Sequence, residues 1–332
     1  MIKPVNPQIR TALENIYISP LELCNLNCRL CYTKKTKNIL TNEQILDFIS
    51  RYQKNINLKS VLFCGGEVFT LKDFPHLVNQ ILSKNIFVSI ITNGTIDKLE
   101  QIKDPSNCQL LVSLDGPKQI HDANRGIGNF DKTIKFIKHA LSLKFPVEIM
   151  FLVTSDSYKH IKTYPQYLSR QLYKKPSTPA PRINYITYKS TFYCDNHPLA
   201  TSVQNGHVRS LQPKQLINIK KHYPSIPAKN FGCFQLSVQS NGSIYGCCES
   251  PLALGKLSDP IKTLISKFLL SLTPCTHCPI SSLNPETNTC SFTKNICLAC
   301  TNPDFLCGYK KELSLASCQQ VVEKFNHETP KS

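Results

Sequence analysis

Between residues 15 and 190 the chain alternates short apolar runs with segments of helical periodicity. The apolar runs have the length of strands and lie at 15–23, 60–64, 86–92, 109–115, 147–154 and 182–188. Each run except the last is followed by a helix candidate before the next run begins. Near-continuous apolar strands in this arrangement are typical of a parallel sheet that is buried on both faces. We therefore expect an α/β fold, namely a partial (β/α)6 barrel of the TIM type.

The distribution of residue types predicts further segments beyond this barrel. We place the barrel at 14–190, a polar linker or substrate loop with a helix at 191–230, and a tail at 319–332. Cysteines and prolines become frequent after Phe231 and little apolar sequence remains for a core. We therefore expect a small cysteine-rich α+β domain at 231–318 that bound metal holds together.

The chain contains sixteen cysteines in 332 residues, and they are unevenly distributed. Three lie within 24–31 and ten within 233–318. The sequence shows no apolar signal core at its start and no continuous apolar stretch of membrane-spanning length, which favours a cytoplasmic protein without membrane association. In a reducing compartment, clustered cysteines more often bind metal or carry out redox chemistry than form disulfides. The two clusters therefore predict two metal regions.

The formal net charge is +17. A basic chain can bind nucleic acid, a membrane surface or an acidic partner. Here the lysines are spread along the sequence and their runs are short, which favours a solvated basic surface over a nucleic-acid site.

The first cysteine cluster has the spacing Cys24-x3-Cys28-x2-Cys31, directly after the first strand candidate, and Tyr32 follows it. Iron–sulfur cubanes usually have four cysteine ligands, so three cysteines on one loop can bind three irons and leave the fourth iron open. A zinc site that lacks one ligand, or three cysteines that only pack, would explain the spacing less well.

Other polar motifs follow the next strand candidates. CGGEVF contains Gly65, Gly66 and Glu67, ITNG contains Asn93, SLDGP contains Ser113 and Asp115, and HDANRG contains Arg125. Glycines let the backbone approach a neighbour closely, and an arginine can hold a carboxylate with two parallel hydrogen bonds. The carboxyl ends of barrel strands form the catalytic face of such barrels, so we expect these residues and the cysteine trio to share one site.

The segment CNLNCRLCY resembles the CxxxCxxC signature of the radical S-adenosylmethionine (SAM) superfamily, and SLDGP with HDANRG resembles its peptide-modifying branch. The resemblance implies that Cys24, Cys28 and Cys31 hold a catalytic [4Fe-4S] cluster that binds SAM. It implies that Glu67, with Gly65 and Gly66, binds the amino group of SAM. Ser113 and Arg125 would contact its carboxylate or ribose, with Asn93 and Asp115 beside them. A flavodoxin or ferredoxin would supply the electron.

The second cysteine zone begins with a predicted hairpin that turns at Asn241-Gly242, a strong hairpin dipeptide. It resembles the SPASM or twitch extension of the same superfamily, which holds auxiliary [4Fe-4S] clusters. We predict one or two auxiliary clusters, with the ligands Cys233, Cys247, Cys275 and Cys278 for the first and Cys297, Cys300, Cys307 and Cys318 for the second. Cys248 could replace Cys247, and Cys290 could replace a neighbour. Lys311 stands where the full SPASM pattern has a cysteine, and the two CxxC pairs also fit a zinc ribbon.

These features predict an enzyme that cleaves SAM to a 5′-deoxyadenosyl radical and removes a hydrogen atom from a substrate. The resemblance makes a peptide or protein side chain the leading substrate, as in a peptide maturase with oxidoreductase chemistry. Three alternatives stay open: a small-molecule cofactor or sugar precursor as substrate, RNA as substrate, and a non-catalytic iron–sulfur or zinc protein.

Overall fold

A computed structural model describes residues 13–31, 33, 35–175, 177–187, 211–222, 235–246 and 253–272 of this chain. The strands of the described residues form a single sheet in the order β6-β5-β4-β3-β2-β1-β7-β8-β9. Their bounds are Asn15–Ile18 (β1), Ser60–Phe63 (β2), Phe87–Thr92 (β3), Cys108–Ser113 (β4), Val147–Val153 (β5), Arg182–Thr187 (β6), Leu236–Val238 (β7), Ser243–Tyr245 (β8) and Ala253–Lys256 (β9).

Helices connect the strands. Their bounds are Asn42–Gln53 (α1), Phe74–Leu82 (α2), Lys118–Arg125 (α3), Asn129–Ser142 (α4), Ser155–Tyr158 (α5), Tyr164–Leu172 (α6), Pro213–His222 (α7) and Ile261–Leu272 (α8). Across the described ranges, no helix is long and apolar enough to cross a membrane.

Strands β1 to β6 are all parallel and lie side by side in chain order, which confirms the partial (β/α)6 barrel. Burial alternates along these strands because successive side chains point to opposite faces. Cys108, Leu110 and Val112 of β4 are fully buried, whereas the residues between them are half-buried. The buried face packs against the helices: the Phe151 ring of β5 lies 4.7 Å from the Tyr164 ring of α6, centroid to centroid.

Three helical segments differ from what their sequence patterns indicate. Thr41 followed by Glu43 is a helix-capping signal in the sequence; Thr41 does cap α1, but Gln44 completes the capping box. The sequence around 97–103 favours a short helix, but it forms only a 3₁₀ turn at Leu99–Gln101. The sequence around 157–174 favours one helix, but the structure has two, α5 and α6, because Thr154 caps one short helix and Pro165 lies in the first turn of the next.

The hairpin predicted around Asn241-Gly242 is present as β7 and β8, which pair antiparallel. Gly242 has the positive φ of 74° that this turn requires. In addition, β7 pairs in parallel with β1, so the hairpin extends the barrel sheet instead of standing apart. The boundary of a second domain at 231 stays a prediction, and the segments 191–210, 223–234 and 273–332 lie outside the described residues.

Candidate functional site

The cysteine loop, residues 24–31, leaves β1 at the carboxyl edge of the sheet. Cys24, Cys28 and Cys31 are all free thiols and all partly buried. The Cys24 sulfur accepts a hydrogen bond from the backbone N–H of Leu26, with 3.4 Å between the two atoms. Lys35 supports the loop from outside, since its ammonium donates to the backbone oxygen of Leu26 at 2.8 Å.

The three thiols share one electrostatic environment. Burial raises the pKa of Cys28 to about 11, with the charge of Arg125 acting in the opposite direction and the charges of Cys31, Asp115 and Cys24 adding to the rise. Burial also raises the pKa of Cys24, and the charges of Glu67 and Cys31 contribute to the increase. Binding of a metal would therefore release protons from Cys24 and Cys28.

The donor set fits an iron–sulfur cluster, because three thiolates on one loop are soft ligands that leave one coordination position for another molecule. In the described part of the chain, no three His, Cys, Asp or Glu side chains are already arranged as a metal-ion site. The assignment of Cys24, Cys28 and Cys31 as cluster ligands therefore rests on their number, chemistry and shared loop.

The Gly65-Gly66 turn after β2 lies directly against the chain that leads into the cysteine loop. The N–H of Gly66 donates to the oxygen of Leu21 at 2.9 Å, and the N–H of Glu67 donates to the oxygen of Leu23 at 3.0 Å. A Cβ on Gly66 would lie 1.8 Å from the Leu23 oxygen, and one on Gly65 would lie 2.2 Å from the Leu21 oxygen. The close approach that the glycines permit is thus, first of all, to the protein's own backbone.

Glu67 is completely buried, with 0% of its surface exposed. Its Oε1 accepts from the Thr92 hydroxyl at 2.9 Å and from the N–H of Phe69 at 3.2 Å, and its Oε2 accepts from the N–H of Asn93 at 2.7 Å. Burial raises the pKa of this carboxyl, although these donors oppose the rise. The carboxylate therefore fastens the end of β2 to the end of β3, beside any role in cofactor binding.

Asn93 joins the end of β3 to the start of the cysteine loop. Its amide nitrogen donates to Oδ1 of Asn25 at 2.9 Å and lies 3.7 Å from the Cys24 sulfur. Its amide oxygen accepts from both the N–H and the hydroxyl of Thr95, at 2.9 and 2.6 Å. Asn93 is thus in contact with a predicted cluster ligand, and its role in binding SAM stays a prediction.

Asp115 and Arg125 form a two-pronged ion pair beside the loop. The guanidinium Nε donates to Oδ2 at 2.7 Å and Nη2 donates to Oδ1 at 3.1 Å. Burial raises the pKa of Asp115, but the charge of Arg125 and its hydrogen bonds outweigh this effect and hold the pKa below its usual value. Asp115 is only 3% exposed, and buried carboxylates of this kind are paired.

His121 lies in the polar sequence HDANRG, which favours a surface histidine, but the structure buries it completely behind this ion pair. Its Nδ1 accepts from the backbone N–H of Asp115 at 3.3 Å, and its ring lies edge-on to the Phe130 ring. Burial lowers its pKa to about 4. His121 is therefore a neutral packing residue at neutral pH, and it supports the turn that carries Asp115.

Ser113 lies at the end of β4 on the half-buried face of the sheet. It pairs in register with Met150 of β5, and Met150 pairs with Asn184 of β6, so the three residues form one row. Asn184 is 5% exposed and donates to Oε2 of Glu148 at 2.6 Å, while its amide oxygen has no hydrogen-bond partner among the residues that the structure describes. The row continues the site from the predicted SAM contacts onto the last two barrel strands.

Two residues of this region were not identified from the sequence. One is Asn184, and the other is Asn124, which contacts the cysteine loop. Asn124 lies inside the motif HDANRG that carries Arg125, so its position was visible but its contacts were not. The predicted auxiliary ligands, namely Cys233, Cys247, Cys275, Cys278, Cys297, Cys300, Cys307 and Cys318, lie outside the described residues, as do Cys248 and Cys290. Their assignment stays a prediction.

A family profile described as the Radical SAM superfamily matches residues 18–164, which include all seven predicted SAM contacts and the cysteine trio. A probable GTP 3′,8-cyclase of Pyrococcus horikoshii is 28% identical over 145 residues, which are 42% of this chain and 46% of that protein. A cysteine-type anaerobic sulfatase-maturating enzyme of Clostridium perfringens is 28% identical over 173 residues, 46% of this chain and 47% of that protein. The matched region thus spans less than half the length of these relatives.

Solved structures show the same fold. Two structures of native anSMEcpe, one with bound AdoMet and one with bound AdoMet and Cp18Cys peptide, each superpose with a TM-score of 0.60. The likeness covers 95% of this chain and 97% of that one at 22% sequence identity. At this identity the similarity establishes the fold alone.

Proposed function

This chain belongs to the radical SAM superfamily through residues 18–164, and we propose that it modifies a peptide or protein side chain by radical chemistry. The observation that carries the proposal is the position of the three free thiols at the carboxyl edge of the parallel sheet. There they lie beside the Gly65-Gly66 turn, Asn93 and the Asp115–Arg125 pair. This is the edge at which barrel enzymes carry their chemistry.

A [4Fe-4S] cluster with bound SAM would supply one electron that cleaves SAM to methionine and a 5′-deoxyadenosyl radical, which takes a hydrogen atom from the substrate. Cys24, Cys28 and Cys31 would hold the cluster. Arg125, Ser113 and Asn93 would orient SAM by donating hydrogen bonds, since arginine suits carboxylates and neutral polar groups suit hydroxyls. The electron would come from a flavodoxin or ferredoxin, for which the charge of +17 is favourable if the donor is acidic.

The peptide substrate is supported by two comparisons and one feature of the site. One relative is a sulfatase-maturating enzyme, and one structure of the same architecture holds a peptide. In this chain the amide oxygen of Asn184 lies buried in the row of Ser113 and has no hydrogen-bond partner among the described residues; a rotation of this side chain would let it accept an N–H of a substrate. An amide N–H of a peptide would satisfy it.

A second candidate is a small-molecule substrate, because another relative is a probable GTP 3′,8-cyclase. Deuterium transfer distinguishes the two. The reconstituted protein is supplied with SAM, a reductant and either a fully deuterated candidate precursor peptide or deuterated GTP. We expect mass spectrometry to find one deuterium in 5′-deoxyadenosine from the peptide. Deuterium from GTP alone would refute the peptide proposal.

We propose that the cysteines after residue 231 bind one or two auxiliary [4Fe-4S] clusters. One auxiliary cubane would bring the total to about eight irons per chain, and two auxiliary cubanes would bring it to about twelve. A zinc ribbon would instead leave about four irons per chain together with zinc. Iron, zinc and sulfide analysis of anaerobically purified protein measures these values. About four irons together with one zinc would contradict auxiliary clusters.

A further inference from the structure

Asn124, in the last turn of α3, contacts the cysteine loop and the Asp115–Arg125 pair at the same time. Its amide oxygen accepts from the backbone N–H of Leu30 at 3.0 Å, and its amide nitrogen donates to Oδ2 of Asp115 at 2.6 Å. Its backbone oxygen accepts from the N–H of Arg29 at 2.8 Å. Three hydrogen bonds from one residue thus converge between Asp115 and the segment that joins Cys28 to Cys31.

These contacts match the two ends of an amide, whose oxygen and nitrogen reach two partners on opposite sides. The side chain must accept from an N–H and donate to a carboxylate at once, and an amide is a short group that does both. An aspartate at this position would place a second carboxylate beside Asp115, and a leucine of similar size would leave the Leu30 N–H and Asp115 without these partners. A helix would favour alanine or leucine over asparagine here, so local helix propensity does not explain the residue.

The position of Asn124 connects two parts of the site. Oδ2 of Asp115 receives both the Asn124 amide and Nε of Arg125, and the Arg125 charge acts on Cys28. At the other end of the loop, Asn93 is bonded to Asn25 and contacts Cys24. The loop is therefore held from β3 at its start and from α3 near its end.

We propose that Asn124 is a positioning residue that fixes the backbone between Cys28 and Cys31 and sets it at a defined distance from the Asp115–Arg125 pair. This goes beyond the proposed function, because the position of the loop can be measured whether or not SAM is cleaved. The residue acts through Leu30, Arg29 and Asp115 and itself touches no reacting atom.

The test compares Asn124→Leu and Asn124→Ala with the matched control Asn129→Leu. Asn129 also bonds the end of α3, since its amide donates to the backbone oxygen of Arg125 at 2.7 Å, but none of its described bonds reaches the cysteine loop. Hydrogen exchange of the anaerobically purified proteins is followed by mass spectrometry over peptides that contain Arg29 and Leu30. We expect both Asn124 variants to exchange there about tenfold faster, as loss of one or two hydrogen bonds implies, and the control to exchange at the wild-type rate.

A spectroscopic readout separates positioning from general stability. The electron paramagnetic resonance spectrum of the reduced, reconstituted protein is recorded with and without SAM. We expect the SAM-dependent change of the spectrum to weaken in both Asn124 variants and to persist in Asn129→Leu, at equal iron content. The proposal is wrong if exchange at Arg29 and Leu30 is unchanged in folded Asn124 variants, or if Asn129→Leu accelerates it as strongly.

Discussion

Gly66→Ala is the substitution whose effect the structure specifies most sharply. The φ angle of Gly66 lies outside the left-handed region, so alanine is not strained by its backbone conformation. The obstacle is space alone: the new Cβ would lie 1.8 Å from the Leu23 oxygen and 2.8 Å from the carbonyl carbon of Glu22. Both atoms belong to the backbone and cannot rotate away, so the turn and the entrance of the cysteine loop must separate.

Separation breaks the two backbone hydrogen bonds that Gly66 and Glu67 make to Leu21 and Leu23. Each buried backbone group left unpaired costs about 1–3 kcal/mol, so the free energy of unfolding should fall by roughly 2–6 kcal/mol. Gly128→Ala is the matched control, because Gly128 has φ of 83° but an added Cβ would meet no atom within 4 Å. Its strain should cost only about 1–2 kcal/mol.

The assay is urea unfolding followed by far-UV circular dichroism, since the chain contains no tryptophan. Iron content after reconstitution is measured on the same samples. We expect Gly66→Ala to lose both stability and iron, and Gly128→Ala to retain its iron. If Gly66→Ala matches Gly128→Ala in stability and iron content, the turn does not support the cysteine loop as described.

Two further predictions concern buried titratable groups. Glu67→Gln should destabilise the fold by about 1–3 kcal/mol, because the new amide nitrogen must face one of the three donors that now bond the carboxylate. Urea unfolding measures this loss of stability. An unchanged urea midpoint would contradict the importance of these three hydrogen bonds. The lowered pKa of His121, about 4 against 6.5 in the unfolded chain, means that the unfolded state takes up a proton first as the pH falls. Stability is therefore complete above pH 6.5 and should decrease by about 3 kcal/mol between pH 7 and pH 4. The stability of the His121→Phe variant should lack this decrease between pH 7 and pH 4. An identical pH dependence of stability in wild type and variant would refute the prediction.

The barrel could be predicted because its signals are local and repeated. Each strand from β1 to β6 is an apolar run, and parallel pairing in chain order follows from the helices between them. The same rule placed Gly65, Glu67, Asn93, Ser113 and Asp115 at one edge of the sheet, and the structure places all of them there. The hairpin at Asn241-Gly242 was likewise visible in one dipeptide.

Other features depend on contacts between distant segments and left no local signal. Nothing in Leu236–Val238 indicates that β7 pairs with β1, because a three-residue strand does not specify its neighbour. Helix α3 has few apolar residues, so its periodicity was weak. Glu67 resembles a solvated carboxylate in the sequence, and its burial follows only when the donors of Thr92 and Asn93 approach it from the neighbouring strand.

Reductive cleavage of SAM is the most direct test of the central claim that the loop holding Cys24, Cys28 and Cys31 forms a radical SAM site. The reconstituted chain is incubated anaerobically with dithionite and SAM, and 5′-deoxyadenosine and methionine are quantified by chromatography and mass spectrometry. We expect equal amounts of both products from the wild-type chain, and none from a folded variant in which the three cysteines are alanine. Absence of 5′-deoxyadenosine from a wild-type protein that carries its full iron complement would contradict the claim.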